Sequence, residues 1–223
     1  MWTPDVYQGA PSPITGYLAS VSKAAIFIAL LRLFLDAKLY RYNMFLNCLT
    51  LLAVLSMLTG NLLALRQDNI KRMLSYSSIA HIGYLLIILI VCGSSVNRPL
   101  AIEAAVYYLI AYSATTIAAF GLLALISAQQ QDRENVHLDD ITGLFWQRPL
   151  LACLMLVALL SLAGIPLTAG FIAKFYIFSA AVSGYHWGLI SALVLGSAIG
   201  IYYYLRVIYC MTKPVNNTLP IQS

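Results

Sequence analysis

Six long apolar runs constrain this chain more than any other feature. A helical span needs about 20 mostly apolar residues to cross a hydrocarbon core roughly 30 Å thick. Runs of that kind lie near Ile14 to Leu35, Met44 to Leu65, Met73 to Cys92, Ala101 to Ser127, Leu150 to Val182 and His186 to Met211. The expected fold is therefore all-α and polytopic, with about six transmembrane helices, one of them discontinuous. Residues 1–212 form one membrane domain, and 213–223 a polar tail containing two prolines and an Asn216-Asn217-Thr218 sequon of no expected use. Composition agrees: 61% of residues are hydrophobic and 9% charged, against roughly 25% charged in a soluble domain.

The net charge of +5 raises the question of nucleic acid. Its distribution answers it, because the basic residues sit singly at span ends and form no patch. One end of the bundle collects Arg66, Lys71, Arg72, Arg133, Arg148 and Lys213, the other Lys38, Arg41 and Arg98. By the positive-inside rule the first end is cytoplasmic, and with it the N-terminal segment and the tail. The opening Met-Trp-Thr-Pro-Asp-Val-Tyr-Gln-Gly-Ala-Pro has neither a basic nor an apolar region of a secretory signal. It reads as a loop leading into a helix, as if from the interior of a larger protein. The longest connection, Gln129 to Gln147, is polar and carries Asp132, Arg133, Glu134, Asp139 and Asp140, with room for a short surface helix.

No nucleotide cradle of the form G-x-x-x-x-G-K-[ST] and no strand-associated G-x-G-x-x-G is present. Cys48, Cys92, Cys153 and Cys210 are scattered, without C-x-x-C spacing, and read as small apolar packers. No cofactor or metal is expected on this chain.

What remains is a set of polar side chains at membrane depth. Lys23 lies about nine residues inside the first span, between Val21 and Ile26. Its insertion costs about 2.5 to 3.5 kcal/mol, while the eleven Leu, Ile, Val and Phe residues between Ile14 and Leu35 return about 0.3 to 0.6 kcal/mol each. The helix inserts despite the lysine, but the cost brings no structural return, so a buried lysine is first a functional hypothesis. Snorkelling suits Arg32, near the helix end, better than Lys23. Lys174 repeats the pattern in Ala-Gly-Phe-Ile-Ala-Lys-Phe-Tyr. Lysines with a reference pKa of about 10.4 do not exchange protons at neutral pH, but desolvation lowers such values by up to several units and makes a titratable relay possible. His81, of the residue type that titrates nearest physiological pH, shares a helix face with Ser77 and Ser78. Glu103, Tyr107, Tyr108, Tyr112, Thr115 and Thr116, and the run Tyr202, Tyr203, Tyr204 and Arg206, are explained by an aromatic belt and snorkelling.

The fifth apolar run is 33 residues long and contains Gly164-Ile165-Pro166 near its middle, then Gly170. Proline lacks the amide hydrogen and interrupts the ladder. The expectation is a helix from Leu150 to about Ala163, a break, and a second helix from Thr168. Broken helices at membrane depth are a frequent site of ion coordination in transporters. The alternative is a plain proline kink.

Several motifs then occur in order: the opening Trp-Thr-Pro-Asp-Val-Tyr-Gln-Gly-Ala-Pro, Ser22-Lys23, Asn69-Ile70-Lys71-Arg72-Met73-Leu74-Ser75-Tyr76-Ser77-Ser78, Ser161-Leu162-Ala163-Gly164-Ile165-Pro166, Gly170-Phe171-Ile172-Ala173-Lys174-Phe175 and Tyr202-Tyr203-Tyr204-Leu205-Arg206. Together they resemble the subunit N family of the bacterial proton-pumping NADH-quinone oxidoreductase, respiratory complex I. The resemblance runs from Met1 to about Met211. It implies an antiporter-like fold of two inverted five-helix repeats, each with a broken helix, and it places Lys23, His81 and Lys174 on a central proton relay; Ser77 and Ser78 on the histidine's helix face, and Gly164 and Pro166 at the break, are expected to support it. Members of that family are longer, with further spans before the first motif and one after the tyrosine run. The chain thus resembles the last helix of the first repeat plus the second repeat. The implied function is a non-redox, proton-translocating subunit in a bacterial inner membrane. NADH, FMN, iron–sulfur clusters and quinone are then held by partner subunits, and the partners are other membrane subunits, the bilayer and a separate polypeptide supplying the missing helices. Two alternatives stand beside it: a subunit of a multisubunit cation/proton antiporter, and an inactive truncated fragment.

Overall fold

A computed structural model describes residues 2–128 and 136–214, and within them nearly all regular structure is helical. The elements are α1 (Thr3–Gly9), α2 (Ser12–Asp36), α3 (Asn43–Leu65), α4 (Ile70–Val91), α5 (Arg98–Ser127), α6 (Leu144–Gln147), α7 (Pro149–Ala163), α8 (Ala169–Ser183) and α9 (Trp187–Thr212). Among the described residues α2, α3, α4, α5 and α9 are each long and apolar enough to cross a membrane. The chain is a multi-pass membrane protein.

Local chemistry sets the boundaries. The Asn69 side chain caps α4 by accepting from the Arg72 N–H at 3.1 Å. Pro99 and Pro149 fall in the first turns of α5 and α7, where a missing N–H leaves no bond unmade. Within α2 the turn Leu18–Ser22 widens to π-helical bonding, a feature frequent at functional sites, and it ends directly before Lys23.

The sixth crossing is broken. α7 and α8 have 15 residues each, a rise of roughly 22 Å, too short for either to cross alone. Residues 139–147 meet α7 at a bend of 119°. Trp146 Nε1 donates to the Thr212 carbonyl at 3.1 Å, which places the start of α7 beside the end of α9. Asn97 Nδ2 donates to the Ser183 carbonyl at 3.1 Å, which places the end of α8 beside the start of α5. The pair therefore runs from one end of the bundle to the other.

α4 is the centre of the bundle: 78% of its apolar window is buried, against 22% for α2. It packs on α3, α5, α1, α8 and α9. Close approach depends on small residues, because lipid offers no hydrophobic drive between helices. A Cβ on Gly60 of α3 would lie 2.7 Å from the Ala80 nitrogen of α4.

Three expectations are corrected. The opening segment is no loop: Thr3–Gly9 is helical, and α1 is clamped to the start of α4 by Lys71, which donates to the Ala10 carbonyl at 3.2 Å, and by Arg72, which bonds Gln8 at 3.0 Å and pairs with Asp5 at 3.5 Å. The long connection is not merely a polar surface segment. Ile70 N–H donates to Val136 and Leu138 N–H to Asp68, both at 3.0 Å, and Val136, Leu138 and Ile141 are buried. Of the four cysteines Cys92 alone is fully buried, whereas Cys48 and Cys153 face outward. Asp132, Arg133, Glu134 and the tail beyond Pro214 lie outside the described residues.

Candidate functional site

Helix α8 brings Lys174 back against the end of α7, and the reason is hydrogen-bond accounting. A helix leaves its last four carbonyls without intrahelical partners, here Leu160, Ser161, Leu162 and Ala163. Gly164 turns left-handed, at φ 79°, and its N–H and that of Ile165 close on Leu160 and Ser161. The remaining two accept from Lys174 Nζ, Ala163 at 2.7 Å and Leu162 at 3.1 Å. The negative end of the helix dipole faces the ammonium as well.

Gly164 is thus part of the lysine's seat, whereas Pro166 follows it in the break and is exposed. A Cβ on Gly164 would lie 2.8 Å from Lys174 Cδ and would be strained at that φ in any case. The break closes on its other side too. Thr168 caps α8 by accepting from Phe171 N–H at 3.3 Å, and Gly170 N–H donates to Ser161 Oγ at 3.1 Å.

Lys23 reaches α4 from the other flank. Its Nζ donates to the Ser78 carbonyl at 3.3 Å and contacts the Ser78 hydroxyl. The ammonium also lies 5.6 Å from the centroid of the Tyr7 ring on α1, a cation–π distance. Ser78 in turn is hydrogen-bonded to the Tyr112 hydroxyl of α5 at 2.7 Å. His81, one turn along α4, bonds through Nδ1 to the Tyr108 hydroxyl at 2.5 Å, and its ring centroid is 4.8 Å from that of Tyr112.

His81, Tyr108, Tyr112 and Lys174 line one cavity of about 10 Å³, the size at which a buried polar site takes a single water. Lys23, Ser78, Tyr112, His81 and Lys174 therefore lie along one polar line through the middle of the bundle. Ser77 stands beside the line; its hydroxyl turns back to the Leu74 carbonyl at 2.7 Å.

Sequence reasoning missed the tyrosines. Tyr108 and Tyr112 are not belt residues but are buried and bonded to His81 and Ser78. Tyr203 and Tyr204, also assigned to the belt, are 2% and 1% exposed inside the bundle. Arg206 does not simply snorkel: it bonds Asp68 at 2.7 Å. Tyr202 and Glu103 do face outward. One signal was available for Tyr112, which lies fourteen residues after Arg98, roughly 21 Å along the helix and too deep for a headgroup belt.

At the opposite end of the bundle from Arg66 and Arg72 a polar vestibule of about 990 Å³ opens, with Asn43, Asn47, Thr50, Asn97 and His186 in its wall. Burial holds the His186 imidazole below its ordinary pKa.

Residues 1–200 match the family described as NADH:quinone oxidoreductase/Mrp antiporter, transmembrane. The chain belongs to that family. Within the NADH:quinone oxidoreductase/Mrp antiporter family it is 52% identical over 214 residues to a Methylococcus capsulatus protein named NADH-quinone oxidoreductase subunit N, covering 96% of this chain and 43% of that one. It is 51% identical over 207 residues to the protein of that name from Ectopseudomonas mendocina, covering 93% and 41%. The chain thus spans well under half the length of these relatives. Its fold is similar to a chain in the structure of respiratory complex I from Thermus thermophilus with bound aureothin, at a TM-score of 0.79 and 38% identity, covering 94% of this chain and 44% of that one. A chain of the Mrp complex from Dietzia sp. shares the fold at a TM-score of 0.84 and 22% identity, covering 95% and 38%.

Proposed function

We propose that this chain is a non-redox, proton-translocating membrane subunit of a bacterial NADH-quinone oxidoreductase, working in the inner membrane with its N-terminal segment and tail in the cytoplasm. The observation that carries this reading is the hydrogen-bonded line Lys23–Ser78–Tyr112 ending in the cavity shared with His81 and Lys174. Relatives named subunit N at about half identity support the choice of complex. NADH, FMN, iron–sulfur clusters and quinone are held in partner subunits. Further membrane helices pack beside α2, of whose apolar stretch only 22% is buried.

A proton moves along the line by exchange. Lys23 gives a proton to Ser78 Oγ as the Ser78 hydroxyl proton passes to Tyr112. The Tyr112 hydroxyl proton passes through the cavity to neutral His81 or to the neutral amine of Lys174. Quinone reduction in the partner arm supplies the drive by changing the relative proton affinities of these groups, and the polar vestibule is the mouth of release.

Purification of the complex through a tag on this chain tests the assignment, with flavin and iron–sulfur subunits expected to co-purify. Recovery with antiporter subunits alone overturns it in favour of a cation/proton antiporter. Removing a single hydroxyl tests the line itself. Ser78→Ala leaves Lys23 the Ser78 carbonyl but separates it from Tyr112, so NADH-driven acidification of inverted vesicles is expected to fall at least about ten-fold. An unchanged rate, together with unchanged rates for Lys23→Ala and Lys174→Ala, marks an inactive fragment.

A further inference from the structure

Lys23 borders on open space that the line described above does not use. It is only half-buried, and an apolar cavity of about 410 Å³ lies beside it, walled by Trp2, Tyr7, Ile26 and Leu30 among others. A lysine ends in a flexible four-carbon stem, so something must keep the ammonium turned toward Ser78. Among the described residues no carboxylate pairs with it. Besides Ser78, the group that the ammonium meets is the Tyr7 ring, 5.6 Å away at the centroid. The Tyr7 hydroxyl interacts with that of Ser78. Tyr7 therefore stands against both partners of the first contact in the line.

Tyr7 is itself firmly held. It is 4% exposed, and its ring meets that of Phe120 on α5 edge to face, with centroids 6.1 Å apart and planes at 85°. Its carbonyl accepts from Thr15 Oγ1 of α2 at 3.4 Å. The same hydroxyl reaches the Ala10 and Pro11 carbonyls at 3.3 and 3.1 Å, which closes the turn between α1 and α2. Lys71 and Arg72 fix α1 to the start of α4. Packing accounts for the burial of the ring. It does not account for a π face set against an ammonium that lacks an acidic partner, where any aliphatic side chain would fill the space.

We propose that Tyr7 is a positioning residue whose ring holds the Lys23 ammonium at Ser78 and out of the neighbouring cavity. The proposal deepens the translocation reading above and rests on it. The ring takes no proton. Its hold is the attraction between the ring quadrupole and the ammonium, which gains strength where water is excluded. An aliphatic side chain of similar bulk fills the same space and loses that attraction.

The test uses the assembled complex in inverted membrane vesicles, with the NADH-driven rate of proton uptake expressed per complex. Tyr7→Phe keeps the ring and is expected to retain at least about half of the wild-type rate. Tyr7→Met keeps apolar bulk without a π face and is expected to fall about ten-fold, the size a desolvated cation–π contact supports. Packing alone predicts a different pattern: less assembled complex in either variant, with the rate per complex unchanged. A wild-type rate per complex in Tyr7→Met, with Lys23→Ala inactive, overturns the positioning role and leaves the central line standing. Equal loss in Tyr7→Phe and Tyr7→Met assigns the effect to the hydroxyl and overturns the role given to the ring. An active Lys23→Ala overturns the translocation reading and this proposal together.

Discussion

Lys174→Met is expected to lower NADH-driven proton translocation at least about 100-fold, because it removes the one ionisable group seated at the break while keeping an apolar chain of similar length. Its effect on folding is a balance of opposed terms. The Leu162 and Ala163 carbonyls lose their donor, at about 1 to 3 kcal/mol for each group left unsatisfied. Against this, the desolvation of a buried ammonium disappears, and replacing buried charge by apolar bulk is often neutral. Subunit abundance is therefore expected to change little while translocation is lost. Lys174→Arg separates charge from proton exchange: a guanidinium still donates to both carbonyls but does not give up its proton. That variant is expected to assemble and not translocate. Acidification at the wild-type rate in either variant sinks the role assigned to Lys174.

Gly170→Val is expected to be the most damaging single change to the fold. A Cβ at Gly170 meets the Ser161 carbonyl within bonding range, and that atom is backbone and has no rotamer to escape into. Overpacking of this kind costs about 3 kcal/mol or more. Here it also separates Gly170 N–H from Ser161 Oγ, 3.1 Å apart, and so pulls α8 from the end of α7 and Lys174 from its seat. The subunit should fall sharply in abundance and in thermal stability after detergent extraction. Gly121→Ala is the control, since nothing lies within 4 Å of a Cβ there. Wild-type accumulation and melting of Gly170→Val contradict the account of the break given above.

Much of the architecture was legible in the sequence. Five of the apolar runs coincide to within a few residues with helices long and apolar enough to cross a membrane, and Gly164-Ile165-Pro166 falls at the break. The α7 helix ends at Ala163 and Thr168 caps the next, as the missing proline amide and the conformational freedom of glycine require. The opening segment was misread because seven residues with a proline and a glycine have little helical tendency alone. It is Lys71 and Arg72, sixty residues away, that hold α1 in place. The candidate site was half legible. Lys23, His81 and Lys174 stood out because charge is rare at that depth, whereas tyrosine is common at membrane interfaces and carries no such signal.

By itself the sequence determined the solvent of this protein, the apolar runs that form its long helices, the place where the fifth run breaks, and which ionisable groups are costly enough to require a reason. Those are properties of one residue or one segment against lipid, and transfer free energy reports them directly. Only the tertiary structure decided that Tyr112 joins Ser78, that Tyr108 meets His81, that Tyr7 lies against Lys23, and that the end of α7 seats Lys174. A hydrogen bond between helices depends on the rotation and depth of two segments relative to each other, and the packing of α4 against its neighbours fixes both.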